Sequence, residues 1–302
     1  MKSTGSWYDV LADDGHVYPS RMRGKIRLEE SRETNPVAVG DYVELEKTDT
    51  GKETVITAIL PRENYIARKA VKKSGQLHVI AANVDQALLV VSIAFPRTSL
   101  GFIDRFTVAA EAFRIPQIIV FNKKDLLGEE ELRFVQDLTG LYTSFGIRCL
   151  VTSALHDDQS ELSKIMTGKK TLVTGHSGSG KSTLINKLSG SLKKQKTSEV
   201  SEFTSKGTHT TTFAEMFPIG DSTYVIDTPG IKELGMVDMK PEEVSDYFVD
   251  MRERRLRCKF GARCLHVNEP SCAVKDAVEA GEISITRYES YLSIILGDDN
   301  RK

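Results

Sequence analysis

The 302-residue chain has no apolar run long enough to cross a bilayer; its most apolar stretch, Ala87 to Phe95, falls far short of the ~20 residues that a spanning helix needs. The opening residues, MKSTGSWYDVLADDG, carry aspartates and no apolar core segment, so no signal peptide is expected, no membrane partner is expected, and the expected compartment is the cytoplasm. An excess of one charge is missing too. Lys and Arg number 41 against 42 Asp and Glu, a net charge of -1, so no global positive field advertises nucleic acid and any such contact must come from local patches. Cysteine is scarce: of the four, Cys258, Cys264 and Cys272 crowd into fifteen residues around His266, which points to metal ligation rather than a disulfide framework. No internal repeat or low-complexity tract is found. What remains, 40% hydrophobic and 27% charged, is a globular composition with enough apolar residues for a core, and the length allows two or three domains.

The first seventy-odd residues read as short strands, at Trp7 to Leu11, Val17 to Ser20, Gly24 to Leu28, Asp41 to Leu45 and Thr54 to Ile59. Turn residues such as Asp13-Asp14-Gly15, Asn35-Pro36 and Thr50-Gly51 separate them, and five short strands suit a small β-barrel of the OB-fold type. Arg21, Arg23, Lys25 and Arg27 alternate along one segment, either as a solvated strand face or as an RNA-contacting one. After a Lys- and Gly-rich linker, Lys69 to Gln76, the pattern changes. Buried strands at Val84 to Ile93, Gln117 to Phe121, Arg148 to Val151, Thr171 to Thr174 and Thr223 to Ile226 alternate with helices at Phe102 to Phe113 and Glu129 to Phe145. Such alternation predicts an α/β doubly wound parallel sheet. Beyond Ile226 the chain turns helical and polar.

Gly175-His176-Ser177-Gly178-Ser179-Gly180-Lys181-Ser182, with Thr183 next, matches the phosphate-binding pattern G-x-x-x-x-G-K-[ST]. A β-run precedes it and the helical run Leu184 to Leu188 follows, the context in which backbone N–H groups curl round phosphate oxygens at a helix N-terminus. Lys181 is expected to reach the β- and γ-phosphates and Ser182 to offer a hydroxyl to Mg²⁺. Asn122-Lys123-Lys124-Asp125 ends a buried strand, where a carboxylate can accept both N–H groups of the guanine edge, which adenine lacks. Thr152-Ser153-Ala154 ends the next strand, a position from which backbone N–H reaches the guanine O6. Asp227-Thr228-Pro229-Gly230 follows another; Asp227 suits Mg²⁺ and the Gly230 N–H suits the γ-phosphate. Between these lies a polar stretch ending Lys206-Gly207-Thr208-His209-Thr210-Thr211-Thr212, the place for a switch loop whose Thr211 ligates Mg²⁺, with Thr210 or Thr212 as the alternatives in register.

The order of the motifs is unusual. NKKD at 122 and TSA at 152 precede the P-loop at 175, so the guanine motifs are circularly permuted, which neighbouring domain termini tolerate. The stretch after DTPG then runs directly into the C-terminal region, a route for relaying nucleotide state. Ile231 stands where a water-orienting glutamine is common, and an apolar side chain cannot orient water. His209 is the candidate for that catalytic role, against the plainer reading of a solvated loop histidine. Cys258, Cys264, His266 and Cys272 supply four donors, the number a closed structural Zn²⁺ site uses; Cys149 reads as a core thiol. Arg252, Arg254, Arg255, Arg257 and Lys259 run just ahead of those ligands, as a solvated face or a phosphate contact.

On NKKD, TSA, GHSGSGKST, HTTT, DTPG and the Cys…Cys-x-His…Cys cluster, the chain resembles the RsgA family of circularly permuted GTPases over essentially its whole length. Phe102-Ile103-Asp104-Arg105-Phe106 is also similar to that family's segment ahead of NKxD. The resemblance implies an OB-fold over 1–72, a permuted GTPase domain over 76–235 and a helical zinc-binding domain over 236–302. It further implies a monomeric, Mg²⁺-dependent enzyme converting GTP to GDP and phosphate. That enzyme would be a late maturation checkpoint of the small (30S) ribosomal subunit, stimulated by the subunit and binding 16S rRNA and its proteins. Two departures stand out: five residues separate Cys258 from Cys264 where four are expected, and no arginine adjoins His209. Two other readings remain: a P-loop small-molecule kinase with a zinc module, against which NKKD speaks, and a nucleotide-sensing RNA tether with negligible turnover, which Ile231 keeps open.

Overall fold

The structure, a computed structural model, describes residues 1–4, 7–23, 35–48, 53–69, 77–193, 214–227 and 239–297. The expected strand Gly24 to Leu28 with Lys25 and Arg27, the switch residues His209 and Thr211, and Gly230 with Ile231 lie outside them. In chain order the strands and α-helices are β1 (Lys2–Thr4), β2 (Trp7–Leu11), β3 (Val17–Met22), β4 (Val43–Lys47), β5 (Thr54–Ile59), β6 (Tyr65–Lys69), β7 (Leu77–Ala82), β8 (Gln86–Val91), α1 (Leu100–Ala112), β9 (Gln117–Phe121), α2 (Glu129–Ser144), β10 (Arg148–Val151), α3 (Ser160–Met166), β11 (Lys170–Thr174), α4 (Lys181–Lys193), β12 (Glu215–Gly220), β13 (Thr223–Asp227), α5 (Pro241–Val244), α6 (Val249–Arg252), α7 (Ala273–Glu279) and α8 (Ile285–Leu296). They fall into two compact units. One comprises Met1–Leu88, Ala154–Thr174 and Lys181–Gly235; the other comprises Leu89–Ser153, Gly175–Gly180 and Met236–Lys302.

In the first unit the strand order is β11-β13-β12-β1-β2-β3-β5-β4. β11 and β13 are parallel, with Leu172 opposite Ile226. Their central residues are wholly buried apolar ones, as a strand covered on both faces requires. β12 is antiparallel to β13 and was not expected. Its sequence EMFPIG carries a proline that tells against a central strand, and the register shifts between Pro218 and Gly220, the kind of irregularity that admits one. The N-terminal strands are antiparallel except that β3 runs parallel to β5. They close on a small core of Tyr8, Val37 and Ile56, and Arg62 grips the fully buried Asp41 carboxylate at 2.7 and 2.9 Å. The expected linker Lys69 to Gln76 instead joins two strands, since β6 and β7 pair antiparallel on either side of it.

In the second unit β9 and β10 are parallel, with Val120 opposite Leu150. α1 starts on Ser99, whose hydroxyl accepts the Phe102 N–H at 3.3 Å, an N-cap that satisfies one orphan donor of the first turn. α8 ends on Gly297 at φ +80°, a left-handed cap that a side chain would strain. Val108 of α1 joins Val244, Phe248, Met251, Tyr291 and Ile294 in one buried cluster, each large side chain there contributing about 1.5–3 kcal/mol by leaving water.

Candidate functional site

The second unit brings NKKD together with residues Gly175–Gly180 of the P-loop. β9 delivers Asn122, which is buried, and its side-chain amide donates to the Ser179 carbonyl at 2.8 Å. Two P-loop glycines leave no room for a side chain. A Cβ on Gly175 would lie 2.3 Å from the Val90 carbonyl oxygen, and one on Gly180 would lie 2.2 Å from the Asn122 amide nitrogen. Their φ values of +142° and +97° are ones that L-residues rarely adopt. Ser179 is itself buried, and its hydroxyl has no hydrogen-bond partner among the described residues, an orphan donor inside a loop of the type that takes phosphate. Ser177 and Gly178 are exposed.

NKKD is held from two sides. Lys124 N–H donates to the Thr152 carbonyl at 3.2 Å and Thr152 N–H to the Phe121 carbonyl at 2.8 Å, so the TSA turn is tied to the NKKD turn. Ser153 is buried and Asp125 is exposed. Lys123 sits at φ +65°, and its ammonium donates to the Phe95 carbonyl at 2.5 Å. The turn after β8 therefore belongs to the site, which the sequence reading missed. Pro96 lies 3.4 Å from the Cβ position of Gly178, and the Phe102 ring packs against His176 with centroids 4.1 Å apart and planes tilted by 32°. Only the resemblance of the FIDRF segment hinted at it.

The first unit carries Ala154, Lys181, Ser182, Thr183 and Asp227. Ala154 is buried, while Ser182 and Thr183 are exposed on the first turn of α4. Burial lowers the pKa of the Lys181 ammonium and the Asp227 charge opposes that shift. A half-desolvated cation beside a carboxylate is an arrangement ready for phosphate and a divalent cation.

Cys258, Cys264, His266 and Cys272 are all buried, and their donor atoms lie within 4.8 Å of one another. Cys258 Sγ and Cys264 Sγ each lie 3.9 Å from Cys272 Sγ, and His266 Nδ1 lies 3.6 Å from Cys258 Sγ and 3.3 Å from Cys272 Sγ. A tetrahedron with 2.3 Å Zn–S bonds has edges of about 3.8 Å, so the cage fits Zn²⁺. Ser245 Oγ, 3.2 Å from His266 Nε2, directs Nδ1 at the thiols, and the Tyr288 and Tyr291 hydroxyls donate to the His266 and Leu265 carbonyls at 2.6 and 2.7 Å. Gly261, inside the long Cys258 to Cys264 loop, holds a left-handed backbone at φ +53°, and His266 and Ser271 do so further on at φ +56° and +54°. Burial pushes the Cys264 thiol up to about 12 and the His266 imidazole down to about 4. Thiolates here need a cation to neutralise them.

The adjacent basic run is mostly committed elsewhere. Arg255 is buried on Asp246, Arg254 bonds Glu282 at 2.9 Å, and Arg252 bonds Glu111 at 2.5 Å. Arg257 and Lys259 remain exposed. In the N-terminal strands Arg21 lies over the Trp7 ring at 4.0 Å and Arg23 pairs with Glu46 at 3.1 Å. Cys149 is half-buried. No helix among the described residues is long and apolar enough to cross a membrane.

Comparison with known proteins gives one consistent result. The family model described as RsgA GTPase matches residues 59–237, and that described as RsgA N-terminal domain matches residues 1–56. The "Small ribosomal subunit biogenesis GTPase RsgA" of Christiangramia forsetii is 49% identical over 302 residues, covering 99% of this chain and 95% of its own. The protein of the same name from Phocaeicola vulgatus is 47% identical, covering 98% and 94%. Among solved structures, YjeQ from Thermotoga maritima is similar with a TM-score of 0.74 at 34% identity, covering 96% of this chain and 93% of its own. YloQ, described as a circularly permuted GTPase, has a TM-score of 0.71 at 31% identity, covering 100% and 94%.

Proposed function

The chain belongs to the RsgA GTPase family, and on that premise we propose that it is a GTP hydrolase of small ribosomal subunit biogenesis. The observation that carries the reading is the Asn122 amide on the Ser179 carbonyl, which sets a guanine-reading turn against a phosphate loop. In this reading the Asp125 carboxylate accepts from the guanine edge, and the Ser153 and Ala154 backbone reaches O6. The N–H groups of Gly175, His176, Ser177, Gly178, Ser179 and Gly180 hold phosphate oxygens with Lys181, and the Gly230 N–H senses the γ-phosphate. Ser182 and Asp227 hold Mg²⁺ together with Thr211. When bound, that ion neutralises charge developing on the phosphates. His209 orients the attacking water in place of the missing glutamine. Cys258, Cys264, His266 and Cys272 hold one structural Zn²⁺.

The partner is the small subunit with its 16S rRNA, met in the cytoplasm by a monomer acting as a late checkpoint. The strand order β1-β2-β3-β5-β4, with β3 parallel to β5, supports an OB-type barrel as one contact surface, and Arg257 with Lys259 supplies a second. GTP turnover measured with and without purified small subunits tests the proposal: slow release of phosphate alone and a large increase on subunits is expected. Ile231 favours one rival, a nucleotide-sensing RNA tether, and negligible turnover in both arms would select it. His209→Ala should lose stimulated turnover while keeping GTP affinity; unchanged turnover removes His209 from the mechanism.

A further inference from the structure

α1 is gripped at both ends of one short segment. On one side Phe102 backs the His176 ring of the P-loop at 4.1 Å. Two residues on, Asp104 leaves the helix in a different direction, because side chains two apart do not share a face. It is 1% exposed, and its Oδ1 accepts from Arg287 Nη1 of α8 at 2.7 Å and from the Tyr142 hydroxyl at 2.9 Å. Arg287, 2% exposed, also forks onto Asp250 at 2.8 and 3.2 Å, with the rings of Phe145 and Phe248 4.7 and 4.8 Å from its guanidinium. α8 carries Tyr288 and Tyr291 onto the carbonyls of the zinc loop.

Two carboxylates share one guanidinium in this buried group, and Asp104 Oδ2 has no hydrogen-bond partner among the described residues. Such a group is a poor source of stability, since hydrophobic residues of similar volume often do as well, but it specifies geometry tightly. We infer that Asp104 and Arg287 are positioning residues for nucleotide binding: they fix α1 on α8 so that Phe102 holds His176 and the P-loop in its phosphate-gripping shape. The zinc module thereby touches the phosphate cradle through α1, a route separate from the stretch after DTPG. The inference rests on the P-loop binding guanine nucleotide, as proposed above.

The test compares GDP and GMP binding to the full chain for Phe102→Leu, Asp104→Asn and the double variant, with melting temperature and zinc content measured on each. GMP lacks the β-phosphate that the cradle grips, whereas both ligands offer the same base to NKKD. Loss of the ring contact should weaken GDP binding about two- to tenfold, the range an aromatic pair supports, and GMP binding distinctly less. Asp104→Asn should do the same with zinc retained, and the double variant should lose less than the product of the two. If Asp104→Asn does not fold, Tyr142→Phe, which removes only one bond to the same carboxylate, carries the comparison. Equal weakening of GDP and GMP, or strictly multiplicative effects, would reduce the network to general stability and overturn the inference. Absence of GDP binding by the unaltered protein would instead overturn the proposed function.

Discussion

Replacing Asn122 by alanine isolates the contact on which the nucleotide site depends. The side-chain amide is 2% exposed and donates to the carbonyl of Ser179, itself fully buried, at 2.8 Å. Removing the donor leaves a buried carbonyl unmet, a penalty of about 1–3 kcal/mol. If all of it falls on the nucleotide-ready P-loop, the GDP dissociation constant rises by about five- to 150-fold. Water entering the loop when no nucleotide is bound moves the expectation toward the lower end. Titration with a fluorescent GDP, alongside thermal melting, separates the share borne by binding from the share borne by folding. Asn122→Asp sharpens the test, because it keeps the volume but turns an acceptor toward an acceptor, so it should bind GDP more weakly than Asn122→Ala. A dissociation constant within twofold of the unaltered protein, with melting unchanged, would mean that this bond positions nothing. So would an Asn122→Asp variant that binds normally.

Gly180→Ala places a Cβ 2.2 Å from the same amide nitrogen on a backbone at φ +97°, so GDP affinity should fall about tenfold or more; normal affinity by the same titration would refute the crowding. Asp125→Ala should abolish the preference for GDP over IDP, which lacks the guanine N2 amine, while leaving phosphate-dependent binding in place; a competition titration reads this directly. Metal analysis of the purified protein should give one zinc per chain, and Cys264→Ser should lose it together with the protease resistance of residues 239–297; a chain that keeps its resistance without zinc would refute a structural role for the ion.

What could be read in advance was whatever kept its chemistry within one segment. The bounds of β2, β5, β9 and β10 follow from short β-prone runs between turn residues, and the phosphate and guanine motifs declare themselves because backbone and side chain act together at a strand end. β12 did not, since Pro218 argues locally against the strand that pairing with β13 imposes. The basic run, which the sequence left open between a solvated face and a phosphate contact, was only partly legible for the same reason. Five cations in eight residues look like one surface, but the acids that claim three of them, Glu111, Asp246 and Glu282, are 141, 9 and 28 residues from their partners. Arg287 is the extreme instance. In the run Ile285-Thr286-Arg287-Tyr288-Glu289 it reads as an ordinary exposed helical cation, and only Asp104, 183 residues earlier, and Asp250, 37 earlier, turn it inward. A buried charge needs its counter-charge in place, and Asp104 of α1 and Asp250 together supply it to Arg287 of α8. The segment that holds Asp104 could be noticed in advance, but its partner Arg287 could not, because nothing local to α8 marks that arginine as buried.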